Sequence, residues 1–169
     1  MPGIHHVYAR GNDRRAIFRS DADREDYLLL LGQVVQRLRW QCLAYCLMDN
    51  HVHLLVEIPE ANLGAGMQRL HGLYGLSFNE RHGHTGHVFE GRYGSVLQTS
   101  DEQLWHTVAY IVRNPVGAGL CASAADWPWS SHSAVLRGAL PSWMDPARLF
   151  RCFEGTGGEA RARYAEVVG

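Results

Sequence analysis

The sequence predicts an α+β fold in which an antiparallel sheet is built from split βαβ units and further helices follow the sheet. Three observations support this class. Segments with strand-like alternation occur four times, two helical segments separate them, and a short polar turn joins the middle pair of strands. The order strand, helix, strand, strand, helix, strand is that of a ferredoxin-like sheet.

The first strand and the first helix lie in the first forty residues. Residues 5–10 alternate between two faces, one of which carries His6, Tyr8 and Arg10, and Gly11-Asn12 ends the strand. A helical pattern then runs from Ser20 to about Arg39, with acidic residues in its first turn.

A predicted hairpin forms the middle of the sheet. Residues 40–47 and 51–58 are apolar and strand-like, and the turn between them is Met48-Asp49-Asn50. A second helix follows at residues 63–81, although its glycines weaken the helical pattern. After a glycine- and histidine-rich loop, residues 93–99 form the fourth strand.

The added third helix begins at Ser100, where Gln103 is expected to complete a capping box. Pro115 is expected to end it directly after Asn114. At 100° per residue one stripe of this helix is apolar, and the opposite side is polar. The apolar stripe contains Leu104, Val108, Ile111 and Val112, and the polar side contains His106, Tyr110, Arg113 and Asn114.

We expect residues 1–120 to form the main domain and residues 121–169 to form a small helical extension packed on it. One short helix should start at Trp127-Pro128-Trp129-Ser130-Ser131, and another should cover 144–151. Residues 155–169, which are rich in glycine and alanine, are expected to form a loosely attached helix or a frayed tail.

Composition indicates an ordinary globular protein of 169 residues, 46% of them apolar. No segment approaches the roughly 18 apolar residues of a membrane span, and the N-terminus lacks the pattern of a signal peptide, so we expect a cytoplasmic protein. The four cysteines show no CxxC spacing. Cys42 and Cys46 are therefore read as reduced core residues, with zinc binding as a weaker alternative.

The formal net charge of −1 argues against a protein that coats duplex DNA through bulk electrostatics. Local recognition remains open, because all 16 basic residues are arginine, which suits bidentate phosphate contacts and stacking on bases. Several arginines are candidates for contacts to unpaired bases, with ordinary solvated surface as the alternative: Arg10, Arg14, Arg15 and Arg92.

The stretch His51-Val52-His53 is the strongest chemical signal in the chain. Side chains alternate along a strand, so both imidazoles point to one face. Such a pair can bind a metal ion if a third ligand comes from elsewhere in the fold. Because the chain has ten histidines, an accidental pair is the plain alternative. The otherwise apolar strand favours a use for these rings, since buried polar groups need partners.

The third helix offers a partner for this pair. Tyr110 and Asn114 lie one turn apart on its polar side, so a hydroxyl and an amide oxygen could serve the same small site. The alternative is a solvated helix face with an amphipathic tyrosine at its edge.

Five segments of the chain resemble the REP-associated tyrosine transposases, which belong to the single-tyrosine HUH transposase superfamily. They are residues 9–18, 48–55, 86–93, 110–120 and 127–131, spanning roughly 5–135. The pair of histidines followed by a tyrosine-asparagine-proline segment is specific to this group. The chain departs from the pattern at His132, where an aromatic residue is usual, and at Asn114, where insertion-sequence relatives have glutamine.

The resemblance implies that His51, His53 and Asn114 hold Mg²⁺ or Mn²⁺ and that Tyr110 is the nucleophile. It also implies a single-stranded DNA substrate with a hairpin, cut through a covalent 5′-phosphotyrosine, and a monomer or homodimer without a membrane partner. Arg113 is a further candidate DNA contact. Tyrosine ordinarily has a pKa near 10, so the cation is expected to assist by neutralising and aligning the scissile phosphate.

Two other functions compete with this one. A protein of the same fold could bind DNA hairpins without cutting, although such a remnant would be expected to lose a ligand or the tyrosine. A zinc hydrolase could instead combine the histidine pair with His5, His87 or His106 and use a metal-bound water. That function leaves the pairing of Tyr110 with Asn114 unexplained.

Overall fold

The computed structural model describes residues 1–153 and 160–169. The strands are β1 (Gly3–Arg10), β2 (Gln41–Leu47), β3 (His51–Ile58) and β4 (Gly94–Leu97). The helices are α1 (Asp21–Leu38), α2 (Leu63–His82), α3 (Asp101–Gly117), α4 (Ser131–Leu136), α5 (Pro146–Arg151) and α6 (Ala160–Val168). Short 3₁₀ turns at Asn12–Arg14 and Ala124–Asp126 were not predicted.

The four strands form one sheet in the order β2-β3-β1-β4, and every neighbouring pair is antiparallel. This order confirms the predicted split βαβ sheet. Helix α1 connects β1 to β2, helix α2 connects β3 to β4, and in each case the two connected strands are not neighbours in the sheet. The bounds of β3 agree with the prediction, whereas β4 is shorter than the predicted 93–99.

The two faces of the sheet are covered by different helices. On one face Val7, Val52 and Leu54 pack in a core with α1 and α2. On the other face Leu55 packs in a second core with α3 and α6. His51 and His53 share the face of Leu55, since side chains two residues apart point the same way. The histidine pair therefore faces α3.

Local sequence signals set the ends of α1 and α3. A reciprocal capping box between Ser20 and Asp23 starts α1. Ser100 caps α3 by accepting from the backbone N–H of Gln103, but the Gln103 side chain accepts from Thr99 instead, so only half of the predicted capping box forms.

The prediction that Pro115 ends α3 is wrong, because the helix continues to Gly117. Pro115 lies two residues before the end of the helix, and its missing N–H costs the last turn one hydrogen bond. Pro115 itself is buried with Ile111 and Val112, so packing keeps the last turn helical. The predicted division into apolar and polar sides is confirmed, since Leu104, Val108, Ile111 and Val112 are all buried.

The glycines that weakened the prediction of α2 include one with a packing reason. A Cβ at Gly66 would stand 2.3 Å from the indole of Trp40, which is buried against the helix. Glycine thus allows α2 to approach the start of β2 closely.

The helices after residue 120 pack on the sheet domain. Helices α4 and α5 contact β2, and α6 contacts α3. Two residues of α6, Tyr164 and Val168, are almost fully buried. The expectation of a loosely attached or frayed end is therefore wrong for residues 160–168, and residues 155–159 of that prediction lie outside the described residues. The division at residue 120 stays a prediction.

The cysteines Cys42 and Cys46 are free and buried, as expected for reduced core residues, and burial raises the pKa of each thiol to about 12. Among the described residues, no helix combines the length and hydropathy needed to span a membrane.

Candidate active site

The sheet brings β1 and β3 together at the histidine pair. In the antiparallel register Tyr8 lies opposite His53, and Arg10 lies opposite His51. The rings of His51 and His53 are 5.1 Å apart between centroids and nearly perpendicular. His53 is buried, with 6% of its surface exposed, and His51 is partly buried. Both imidazoles thus face one site, as predicted.

Helix α3 adds Asn114 to this pair. Its side-chain oxygen Oδ1 lies 2.9 Å from Nε2 of His51, and the other ring nitrogen of His51, Nδ1, lies 2.7 Å from Oδ1 of Asn50. Both partner atoms are amide oxygens, which only accept hydrogen bonds. A neutral imidazole has one N–H, so with the amides in these orientations one nitrogen faces an oxygen without a proton between them.

This arrangement fits a bound divalent cation. A cation between the unprotonated Nε2 of His51 and the Asn114 oxygen would satisfy both lone pairs. The donor set of imidazole nitrogen and amide oxygen suits Mg²⁺ or Mn²⁺ less well than all-oxygen sites but is acceptable to Mn²⁺. The residues predicted to hold the metal therefore fit the group, and their role as ligands stays a prediction.

His53 is held in its neutral form. Burial, together with repulsion from the adjacent rings of His6 and His51 in their charged forms, lowers the pKa of His53 to about 3. Because only a neutral imidazole can ligate a metal, this environment keeps the ring available at physiological pH. Nδ1 of His53 lies 3.1 Å from Nε2 of His6.

Tyr110 stands over the same histidines. Its ring centroid is 5.4 Å from that of His53 and 6.0 Å from that of His6, and 55% of the residue is exposed. A cavity of about 530 Å³ is lined by Tyr110 together with both histidines of the pair. The structure thus brings Tyr110, His51 and His53 together, and Asn114 joins them through His51.

The five candidate arginines lie in three places, two of which adjoin Tyr110. Arg10 and Arg92 line the cavity beside the histidines, and Arg113 lies beside Tyr110 and Asn114 on the open side of α3. Arg10 is already paired there, since its guanidinium donates to Glu90 at 2.7 and 2.9 Å.

Arg14 and Arg15 belong to the loop after β1 and line neither pocket. The backbone of Arg14 is left-handed, with φ of 57°, and its carbonyl accepts from the side chain of Asn50 at 3.3 Å. The loop is therefore tied to the residue that precedes His51.

The alternative zinc site gains no support from the described part of the chain. Within residues 1–153 and 160–169, no three His, Cys, Asp or Glu side chains are grouped so as to hold a metal. His106 is 80% exposed in its side chain and faces Glu102, and His5 bonds the carbonyl of Met1.

Sequence reasoning missed three residues around the site: His6, Asn50 and Glu90. Each contacts a predicted site residue, namely His53, His51 and Arg10. The alternation of β1 did place His6 on the face of Tyr8 and Arg10, so it could have indicated His6 as a neighbour of the pair. The contact between Arg10 and Glu90 joins residues 80 positions apart and carries no local signal.

Comparison with known proteins agrees with this geometry. The family model described as "Transposase IS200 like" matches residues 3–114, a range that includes both histidines, Tyr110 and Asn114. A protein of Haemophilus influenzae named as a REP-associated tyrosine transposase is 27% identical over 111 residues. That match covers 59% of this chain and 62% of the relative, so the chain spans less than two thirds of the relative's length.

A solved structure of a REP-associated tyrosine transposase bound to a REP hairpin has the same fold. It superposes with a TM-score of 0.68 at 20% identity and covers 94% of this chain and 92% of its own. The family match over residues 3–114 and the likeness of fold along nearly the whole chain lead to one assignment. The chain belongs to the IS200-like transposase family, in which it resembles the REP-associated tyrosine transposases.

Proposed function

We propose that this protein is a metal-dependent endonuclease and strand transferase that cuts single-stranded DNA next to hairpins of the REP type. The observation that carries the proposal is the position of Tyr110, which shares a cavity with His51 and His53. Membership in a transposase family and the REP hairpin bound by the structural relative support the choice of substrate.

The reaction is a transesterification. The hydroxyl oxygen of Tyr110 attacks the scissile phosphorus, a new phosphorus–oxygen bond forms, and the bond to the 3′ oxygen breaks. The proton lost by the phenol ends on the departing oxygen, which becomes a free 3′ hydroxyl. Tyr110 keeps the 5′ phosphate covalently, and attack by a 3′ hydroxyl reverses the step without a further energy source.

The side chains of the site divide this work. His51, His53 and Asn114 would hold Mg²⁺ or Mn²⁺, which supplies charge neutralisation and alignment of the phosphate. The exposed half of Tyr110 leaves its hydroxyl open to a bulky DNA strand. Arg92 and Arg113 line the two pockets that adjoin the tyrosine, and in this proposal they would contact phosphates of the DNA strand.

The test is formation of a covalent protein–DNA adduct. The protein is incubated with Mn²⁺ and single-stranded oligonucleotides that carry the genomic palindromes flanking its gene, and the products are separated on a denaturing gel. We expect Tyr110→Phe to abolish the adduct while hairpin binding stays within a few-fold. Tyr8→Phe is the matched control, because Tyr8 faces the same cavity.

The outcomes separate the competing functions. An adduct that persists in Tyr110→Phe would place the nucleophile elsewhere, with Tyr8 and Tyr93 as the next candidates. A wild-type protein that binds the hairpin but forms no adduct would be a hairpin-binding protein that does not cut.

A further inference from the structure

His6 on β1 is the nearest polar neighbour of His53 outside the predicted ligand set. Nε2 of His6 lies 3.1 Å from Nδ1 of His53, and the ring centroids are 5.2 Å apart. The strand register explains the contact: His53 lies opposite Tyr8, and His6 is two residues from Tyr8 on the same face. The backbone therefore fixes this pair of rings independently of α3.

A hydrogen bond between two neutral imidazoles uses one proton, and the ring that donates it determines whether His53 can bind a metal. If His53 donates from Nδ1, its Nε2 keeps a free lone pair. If His6 donates instead, neutral His53 must carry its proton on Nε2, and that nitrogen can bind no metal. The first arrangement is the one that leaves a ligand.

His51 has a comparable pair of contacts, with Asn50 Oδ1 2.7 Å from its Nδ1 and Asn114 Oδ1 2.9 Å from its Nε2. A proton on Nδ1, donated to Asn50, is the arrangement that leaves Nε2 of His51 free for a cation beside Asn114. Metal-binding histidines commonly donate their second ring N–H to an acceptor that fixes the tautomer. Asn50 is positioned to be this acceptor for His51, and His6 is positioned to be the acceptor for His53.

We propose that His6 is a positioning residue that accepts the Nδ1 proton of His53 and so keeps Nε2 of His53 free for the divalent cation. This inference rests on the metal site of the proposed function. It predicts that His6 acts on the metal through His53 and is not itself a ligand.

The test uses two variants of His6 in the full chain. His6→Phe keeps an aromatic ring and removes the acceptor, whereas His6→Gln restores an acceptor oxygen. His5→Gln is the control, because the neighbouring histidine points to the other face and bonds the Met1 carbonyl. Imidazole ¹⁵N spectra of the metal-free proteins report which nitrogen of His53 carries the proton. Titration with Mn²⁺, followed by electron paramagnetic resonance, reports affinity.

We expect wild-type His53 to be protonated on Nδ1 and His6→Phe to move the proton to Nε2. Affinity for Mn²⁺ should fall about 10- to 100-fold in His6→Phe, recover in His6→Gln and stay unchanged in the control. Because the wild-type spectrum is informative alone, the inference can be tested even if His6→Phe does not fold.

Three results would overturn it: a proton on Nε2 of His53 in the wild type, an unchanged tautomer in His6→Phe, or an unchanged Mn²⁺ affinity in that variant. In the second case, a loss of Mn²⁺ affinity would identify His6 as a ligand. Failure of the proposed function is seen separately, as a wild-type protein that forms no adduct.

Discussion

The substitution Gly94→Ala tests how the wall of the candidate site is built. Gly94 on β4 lies opposite Tyr8, and the Tyr8 ring lies across it. A Cβ at residue 94 would stand 2.2, 2.4 and 2.6 Å from Cζ, Cε2 and the hydroxyl oxygen of Tyr8. These distances are far inside van der Waals contact, so the tyrosine must move.

The expected cost follows from how freely Tyr8 can move. Overpacking costs about 1–3 kcal/mol where neighbours are fixed. Tyr8 is 43% exposed, so its ring can turn toward solvent, and we expect about 1 kcal/mol of lost stability. In a Tyr8→Ala background the clash is absent, and replacing a strand glycine by alanine should then be neutral or stabilise by up to about 1 kcal/mol.

The assay is urea unfolding of the four proteins in a double-mutant cycle at a common m-value. We expect a coupling energy of about 1–2 kcal/mol between positions 8 and 94. An equal cost of Gly94→Ala in both backgrounds would refute it, because the strain would then lie in the backbone of β4 and not in the ring of Tyr8.

Three further predictions concern the metal, the substrate and pH. His53→Ala, like His51→Ala, should suppress adduct formation with Mg²⁺ or Mn²⁺, because two ligands rarely retain a weakly held cation; full activity in either variant, or in excess chelator, would exclude the metal role. Arg14→Ala should weaken binding to a hairpin with its single-stranded flank far more than to the stem alone. An equal loss of affinity for both DNAs in gel-shift titrations would show that Arg14 contacts only phosphates. Burial lowers the pKa of His71 to about 4, so the native state binds fewer protons than the unfolded chain below pH 6.5. Stability should therefore fall between about pH 6.5 and pH 4 by on the order of 2–3 kcal/mol. His71→Phe, which can keep the stacking on Phe89, should flatten this slope, and an unchanged slope in urea unfolding would assign it to other groups.

The parts of the fold that could be predicted are those with local signals. Alternation and apolar content located β3 to the residue, and the polar turn before it located the hairpin. The start of α1 followed from Ser20 and the acidic first turn. The end of α3 was predicted wrongly because the tendency of Pro115 to end a helix is outweighed by its burial next to Ile111 and Val112.

The candidate site was predictable only within each element. The shared face of His51 and His53 follows from strand geometry, and the shared turn of Tyr110 and Asn114 follows from helix geometry. That the two pairs meet depends on the packing of α3 over the sheet, which no local pattern encodes. The contacts of Asn50 and Glu90 depend on turn conformation and on pairing between distant segments, so they emerged only with the fold. The alternation of β1 could have indicated the face of His6, but its contact with His53 depends on the strand register.

Helix α3, which carries Tyr110 and Asn114, packs between the sheet and α6. The C-terminal helix therefore helps to set the position of these two side chains. The buried side of α3 rests partly on Tyr164 and Val168, which lie beyond the family match at residue 114. Its open side is linked to β3 by the contact between His51 and Asn114. Helix α3 therefore has an apolar contact with α6 on its buried side and a polar contact with β3 on its open side. A change in the packing against α6 would shift α3, and Tyr110 with it. Substitutions in α6 would then change the position of Tyr110 relative to His51 and His53.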